Sequence, residues 1–105
     1  MAVNLPEPTG VLSVPGVRLA TGAAAVKRAG RDDLVLFLFE PGTTVAGVFT
    51  RSAFRAAPVI LAEANVDRGG VRALLINSGN ANAATGAQGI EDARALCSAL
   101  AEVPV

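Results

Sequence analysis

Val71-Arg72-Ala73-Leu74-Leu75-Ile76-Asn77-Ser78-Gly79-Asn80-Ala81-Asn82-Ala83-Ala84-Thr85-Gly86 changes character in its middle. The apolar run from Val71 to Ile76 is strand-sized and reads as a buried strand. The ten small residues after it, rich in amides, hydroxyls and glycine, read as a loop. Two uses of that loop stay open. Its open backbone, with the unpaired N–H groups of a following helix, suits an anion or a small polar ligand. Alternatively, Asn77, Asn80 and Asn82 bond local backbone as Asx-turns that redirect the chain from strand to helix.

Beyond the loop, Ile90, Ala93, Leu96, Cys97, Leu100 and Ala101 recur at steps of three and four, the spacing of one helix face. Glu91 and Asp92 fall in the first turn, where the helix dipole favours them. Thr85 or a residue just after it is the N-cap candidate, and the helix is expected to end near Glu102, before Pro104. On this reading Cys97 lies on the apolar face, buried in packing and unreactive.

Before the loop, residues 1–15 carry Pro6, Pro8, Pro15 and Gly10 and are expected to form an extended lead-in. Residues 16–105, from Gly16 to Val105, then form one unit. Residues 17–20 and 24–28 read as one extended strand kinked at Gly22. Gly30-Arg31-Asp32-Asp33 is a turn cluster, with both aspartates assigned to turn chemistry. Leu34-Val35-Leu36-Phe37-Leu38-Phe39 is a second strand. Pro41-Gly42 turns it into a third, over residues 43–50, paired with the second as a hairpin. Pro58 opens a short helix over residues 59–64, and residues 65–70 break the chain. The expected order is β, β, β, short α, β, long α.

Composition narrows the chemistry. A chain of 105 residues fits one domain or part of one. Its hydrophobic fraction of 51%, with only 17% charged residues against the usual ~25%, implies faces covered by something else. No run reaches the ~18–20 apolar residues of a spanning helix, and the N-terminus lacks a secretory pattern, so no membrane association and a cytoplasmic location are expected. Nine basic and nine acidic residues form no block of either sign, and aromatic residues are scarce, which argues against nucleic acid. One cysteine and no histidine exclude disulfides, zinc-finger spacing and histidine-dependent triads.

The loop is not a phosphate loop, because the Gly-Lys-Ser/Thr ending and the G-x-G-x-x-G spacing are both absent. Thr43, Thr44, Thr50 and Ser52 have no histidine to activate them and read as strand-surface hydroxyls. Arg51 and Arg55 can grip a carboxylate bidentately or stand solvated on the surface.

Four segments together resemble the ornithine acetyltransferase family of arginine biosynthesis: Gly16-Val17-Arg18-Leu19-Ala20-Thr21-Gly22 with Lys27, Ala46-Gly47-Val48-Phe49-Thr50-Arg51, Ala56-Ala57-Pro58-Val59, and the ten residues 77–86. The last is the most specific. The match runs from Gly16 to Glu102 in the order of the family's N-terminal third, with a departure at Ser52, where the family often has Asn.

The resemblance implies an α/β fold, an α+β layered sandwich, of which this chain is a partial domain, mostly strands plus a C-terminal amphipathic helix. It also implies a ping-pong transfer of acetyl from N-acetylornithine to glutamate through an enzyme threonine, with acetyl-CoA as a further donor in part of the family, and no cofactor or metal. It implies self-cleavage before that threonine into α and β chains, assembled as an α2β2 heterotetramer.

The family's nucleophilic threonine and its Ser-Thr-Gly oxyanion segment are not among these 105 residues, and the resemblance implies that both lie beyond Val105. No catalytic residue is therefore assigned, and the chain is expected to be an N-terminal fragment, inactive alone. Asn77, Ser78, Gly79, Asn80 and Asn82 are the candidates for substrate-pocket scaffold. The alternative is a non-catalytic binding or interaction module that keeps the family's scaffold.

Overall fold

The computed structural model describes Asn4 and residues 6–104. Residues 1–3 and Leu5 of the expected lead-in lie outside the described residues, and so does Val105, the last residue of the expected 16–105 unit. Residues 6–14 hold no helix or strand, and Val11, Leu12 and Val14 are exposed.

Five elements follow: strand β1 (Val17–Gly22), strand β2 (Leu34–Phe39), helix α1 (Ala57–Arg68), strand β3 (Ala73–Asn77) and helix α2 (Gly86–Ala101). The fold is mixed α/β, with a three-stranded antiparallel sheet of order β1-β2-β3. Leu34–Phe39 takes the centre, but all six of its residues are only half-buried, because the described residues leave its faces partly uncovered.

The register sorts the side chains. Leu19, Phe37 and Leu74 stand directly opposite one another on one face, beside Thr21, Val35 and Ile76. Ala20, Leu36 and Leu75, with Leu38 and Ala73, line the other. Along β3 the burial alternates: Ala73, Leu75 and Asn77 are half-buried while Leu74 and Ile76 are exposed. Leu19 is exposed on that same open face.

Two expected strand segments are absent. Residues 24–28 leave the sheet after Gly22, because the Asp33 carboxylate captures the Ala24 and Val26 N–H groups that would otherwise continue a ladder. Residues 43–50 form no strand, and the expected hairpin with β2 is closed to them because β1 and β3 take both of its edges. β-branched content made that segment strand-prone, but such propensity is a weak preference that tertiary context overrides.

Pro58 opens α1 as expected, yet the helix runs on through residues 65–68. Asn65 and Val66 are half-buried, and packing outweighs their weak propensity. Gly69 stops it at φ 77, its N–H returning to the carbonyls of Asn65 and Val66. Helix α2 ends at Ala101, with the Glu102 N–H bonded to Ala99, where the sequence placed its end.

The helices pack on each other near their first turns, where Ala57, 6% exposed, faces Gly89. Ala57 is the one buried apolar side chain among the described residues, and none there is wholly enclosed. The accessible surface of 8433 Å² far exceeds the roughly 5,500 Å² of a compact monomer of this mass. The radius of gyration, 15.1 Å, likewise exceeds the expected ~13 Å.

That openness also corrects the reading of Cys97, which is exposed. Its helical spacing is as read, but α1 covers only part of the apolar stripe of α2, and Leu96 beside it is 56% exposed.

Candidate functional site

The loop between β3 and α2 is organised from both ends. At its start the Ser78 N–H donates to the Asp33 carbonyl at 2.8 Å, which ties the loop to the entry of β2. Gly79 follows at φ +95, and an added Cβ there would stand 3.0 Å from the Lys27 Cβ. Glycine is thus required twice, by conformation and by the Lys27 stem packed against it.

The three asparagines join into one chain of amides. Asn80 Nδ2 donates to Asn82 Oδ1 at 2.9 Å, and Asn82 Nδ2 donates to Asn77 Oδ1 at 3.4 Å. This folds the loop back over the end of β3. Asn82 and Ala84 adopt left-handed backbone at φ 52 and 55, which Asn tolerates better than Ala.

Thr85 holds the N-cap position, but its Oγ1 donates to the Asn82 carbonyl at 3.4 Å and caps no helical N–H. The geometry thus orders the loop through bonds among its own asparagine side chains, not through the side-chain-to-backbone bonds of Asx-turns. It also leaves the first turn of α2 without a side-chain cap.

Asn77, Ser78, Gly79, Asn80 and Asn82 therefore come together, in two groups. The asparagine side chains bond one another, whereas Ser78 and Gly79 border a cavity of about 250 Å³ shared with Lys27, Arg28, Arg31 and Asp33. Those four partners come from residues 23–33, the connection between β1 and β2.

Asp33 is the residue that reading by turn propensity missed. It is buried at 5% exposure, and its two carboxylate oxygens accept the N–H groups of Ala24 at 2.7 Å and Val26 at 2.6 Å. Those two bonds hold its carboxyl below the ordinary value of 3.8, with the Arg31 charge assisting and burial opposing. Its neighbour Asp32 behaves as expected of a turn residue, exposed and accepting the Thr21 hydroxyl at 2.7 Å. An aspartate directly before a buried strand was the available signal, since its side chain sits where the preceding loop must close.

The remaining sequence candidates lie elsewhere. Arg55 does grip a carboxylate, that of Glu63 on α1, in an internal ion pair; Arg51 is exposed. Thr43 Oγ1 donates to the Glu40 carbonyl, and Thr50 Oγ1 accepts the Ser52 N–H. Thr44, Thr50 and Ser52 are exposed on an irregular segment rather than on a strand.

Comparison with known proteins identifies the wider setting. Residues 18–104 match the model of the ArgJ family. The arginine biosynthesis bifunctional protein ArgJ of Neisseria gonorrhoeae is 51% identical over 104 residues, covering 96% of this chain and 26% of that protein. The protein of the same name from Pseudomonas syringae pv. tomato is 50% identical over 103 residues, 98% of this chain and 25% of its own length.

The crystal structure of ornithine acetyltransferase from Mycobacterium tuberculosis, complexed with ornithine, superimposes with a TM-score of 0.75 at 40% identity, over 84% of this chain and 48% of that one. The ArgJ protein of Bacillus halodurans gives 0.71 at 30% identity, over 86% and 49%. The chain thus spans about a quarter of the length of the curated relatives it matches, and corresponds to their N-terminal portion. With the family model covering all five elements from Arg18 onward, and relatives at half identity along nearly every residue, the chain belongs to the ArgJ family of arginine biosynthesis enzymes.

Proposed function

We propose that this chain is the N-terminal part of an acyltransferase that moves acetyl from N-acetylornithine to glutamate, with acetyl-CoA as a further donor, and that alone it is inactive. The reading rests on the family match over residues 18–104. It carries over a threonine acyl-enzyme, self-cleavage into α and β chains and an α2β2 assembly in the cytoplasm.

The chemistry of the residues agrees with inactivity. An acyl-enzyme needs a nucleophile beside a base, and the chain has no histidine. The Thr43 and Thr85 hydroxyls donate to backbone carbonyls, and Thr21 donates to exposed Asp32, fastening an edge strand to the next loop. The reacting threonine then comes from other residues of the enzyme, beyond the position of Val105, and the α-amine freed by cleavage serves as its base. Asn77, Ser78, Gly79, Asn80 and Asn82 would shape one wall of the pocket.

Two assays test this. The 105-residue chain, incubated with N-acetylornithine and glutamate, is expected to show no acetyl transfer; turnover would reject inactivity. Replacing the matching 104 residues of the Neisseria relative with this chain should give a chimaera that transfers acetyl. A folded but inert chimaera would sink the acyltransferase reading. The uncovered apolar face of the sheet supports a second reading, a non-catalytic interaction module on the same scaffold, which a stable, cooperatively melting monomer would favour.

A further inference from the structure

The cavity between the two loops carries an unbalanced charge. Lys27, Arg28 and Arg31 all border it, and none makes a side-chain hydrogen bond or ion pair among the described residues. The one carboxylate on its wall, Asp33, accepts the Ala24 and Val26 N–H groups and offsets one of the three positive charges, which leaves an excess of cations. The other nearby carboxylate, Asp32, is held by Thr21 and does not border the cavity.

Three like charges within five residues repel one another, and an isolated flexible loop would splay them. Here the loop is fastened. Asp33 pins residues 24 and 26, its backbone bonds Gly22 and Ser78, and the Lys27 stem lies against Gly79. With the loop backbone fastened, the three exposed cations border one open concave surface that also presents Ser78, a donor suited to an oxyanion. The volume of about 250 Å³ equals the space of about eight waters, enough for a hydrated phosphate or a five-carbon dicarboxylate.

We propose that Lys27, Arg28 and Arg31, with Ser78, bind a small oxyanion carrying at least two negative charges. This goes beyond the acetyl-transfer reading and does not depend on it. Isothermal titration calorimetry of the chain at constant ionic strength, with inorganic phosphate in one arm and glutarate in the other, tests it and separates the two sources of charge.

Saturable binding of either anion is expected, weakening by about tenfold or more in Lys27→Met/Arg31→Gln. The methionine keeps the stem that packs on Gly79. Arg28→Gln, which removes no hydrogen bond seen among the described residues, should weaken binding on its own and decides the matter if the double variant folds poorly. Arg94→Gln on α2 should leave it unchanged.

The proposal is overturned if neither anion binds saturably, or if their heats match those of potassium chloride at equal ionic strength. It also fails if the Lys27, Arg28 and Arg31 variants bind as tightly as the parent, or if Arg94→Gln weakens binding equally.

Discussion

Asp33 joins more of this molecule than any apolar side chain does. Its carboxylate takes two N–H groups of the preceding loop, its N–H reaches Gly22, and its carbonyl receives Ser78, so β1, β2 and the asparagine loop meet at one residue. Replacing it by Ala removes the shared acceptor of the Ala24 and Val26 N–H groups and should lower Tm by roughly 5 °C in a thermal melt followed by circular dichroism. The sign of its pH effect follows from the depressed carboxyl. The stabilisation is complete above the ordinary value of 3.8 and is lost as pH falls through the lower folded-state value. Acid unfolding of the parent should therefore steepen below about pH 4, and Asp33→Asn should flatten that limb. An unchanged acid limb would remove Asp33 from this role. Asp-Asp before a strand looks in sequence like ordinary turn chemistry; only the closed loop distinguishes the exposed Asp32 from the buried Asp33.

At the scale of elements, the tightest geometry lies in the first turn of α2, against its own N-cap residue Thr85, with α1 at ordinary contact distance. A Cβ added at Gly89 would overlap the Thr85 hydroxyl, stand 2.5 Å from the Thr85 Cβ and lie 3.4 Å from the Ala57 Cβ. Ala in place of Gly inside a helix ordinarily gains about 1 kcal/mol. Here the overlap, which rotating Thr85 cannot relieve, costs about 1–3 kcal/mol or more, so Gly89→Ala should be destabilising overall. Thr85→Gly in the same chain should recover much of that loss, because it removes both clashing atoms. Urea melts of the two variants check this, and a Gly89→Ala chain more stable than the parent would contradict the geometry. The elements differed in how readable they were. Helix α2 was legible because its stripe recurs over about three turns and Pro104 closes it; β2 because six apolar residues sit between turn signals. Residues 43–50 were not, since their Val and Thr content is compatible with a strand but whether a strand edge is vacant is not written locally.

For the whole molecule, the central fact is surface. The open face of the sheet sets Leu19, Phe37 and Leu74 in line beside Val35 and Ile76, with Leu19 59%, Leu74 45% and Ile76 46% exposed. Val48 and Phe54 on the irregular segment are almost wholly exposed. A patch of that kind drives association. The purified chain should elute with light-scattering masses above its 10.6 kDa and bind a hydrophobic dye. Leu19→Thr/Leu74→Thr/Ile76→Thr, which keeps strand propensity while making the face polar, should reduce both. A monodisperse parent without dye binding would mean the face is not adhesive. The central strand, the long helix and the asparagine loop were readable from residue order, because apolar period and turn chemistry act over a few neighbouring positions; the family was readable from its resemblance in four segments. Which strands paired, that residues 43–50 stayed outside the sheet, that Cys97 faces outward and that Lys27, Arg28 and Arg31 meet Ser78 were settled by folding. These depend on contacts between residues tens of positions apart, and on which faces the rest of the molecule leaves uncovered.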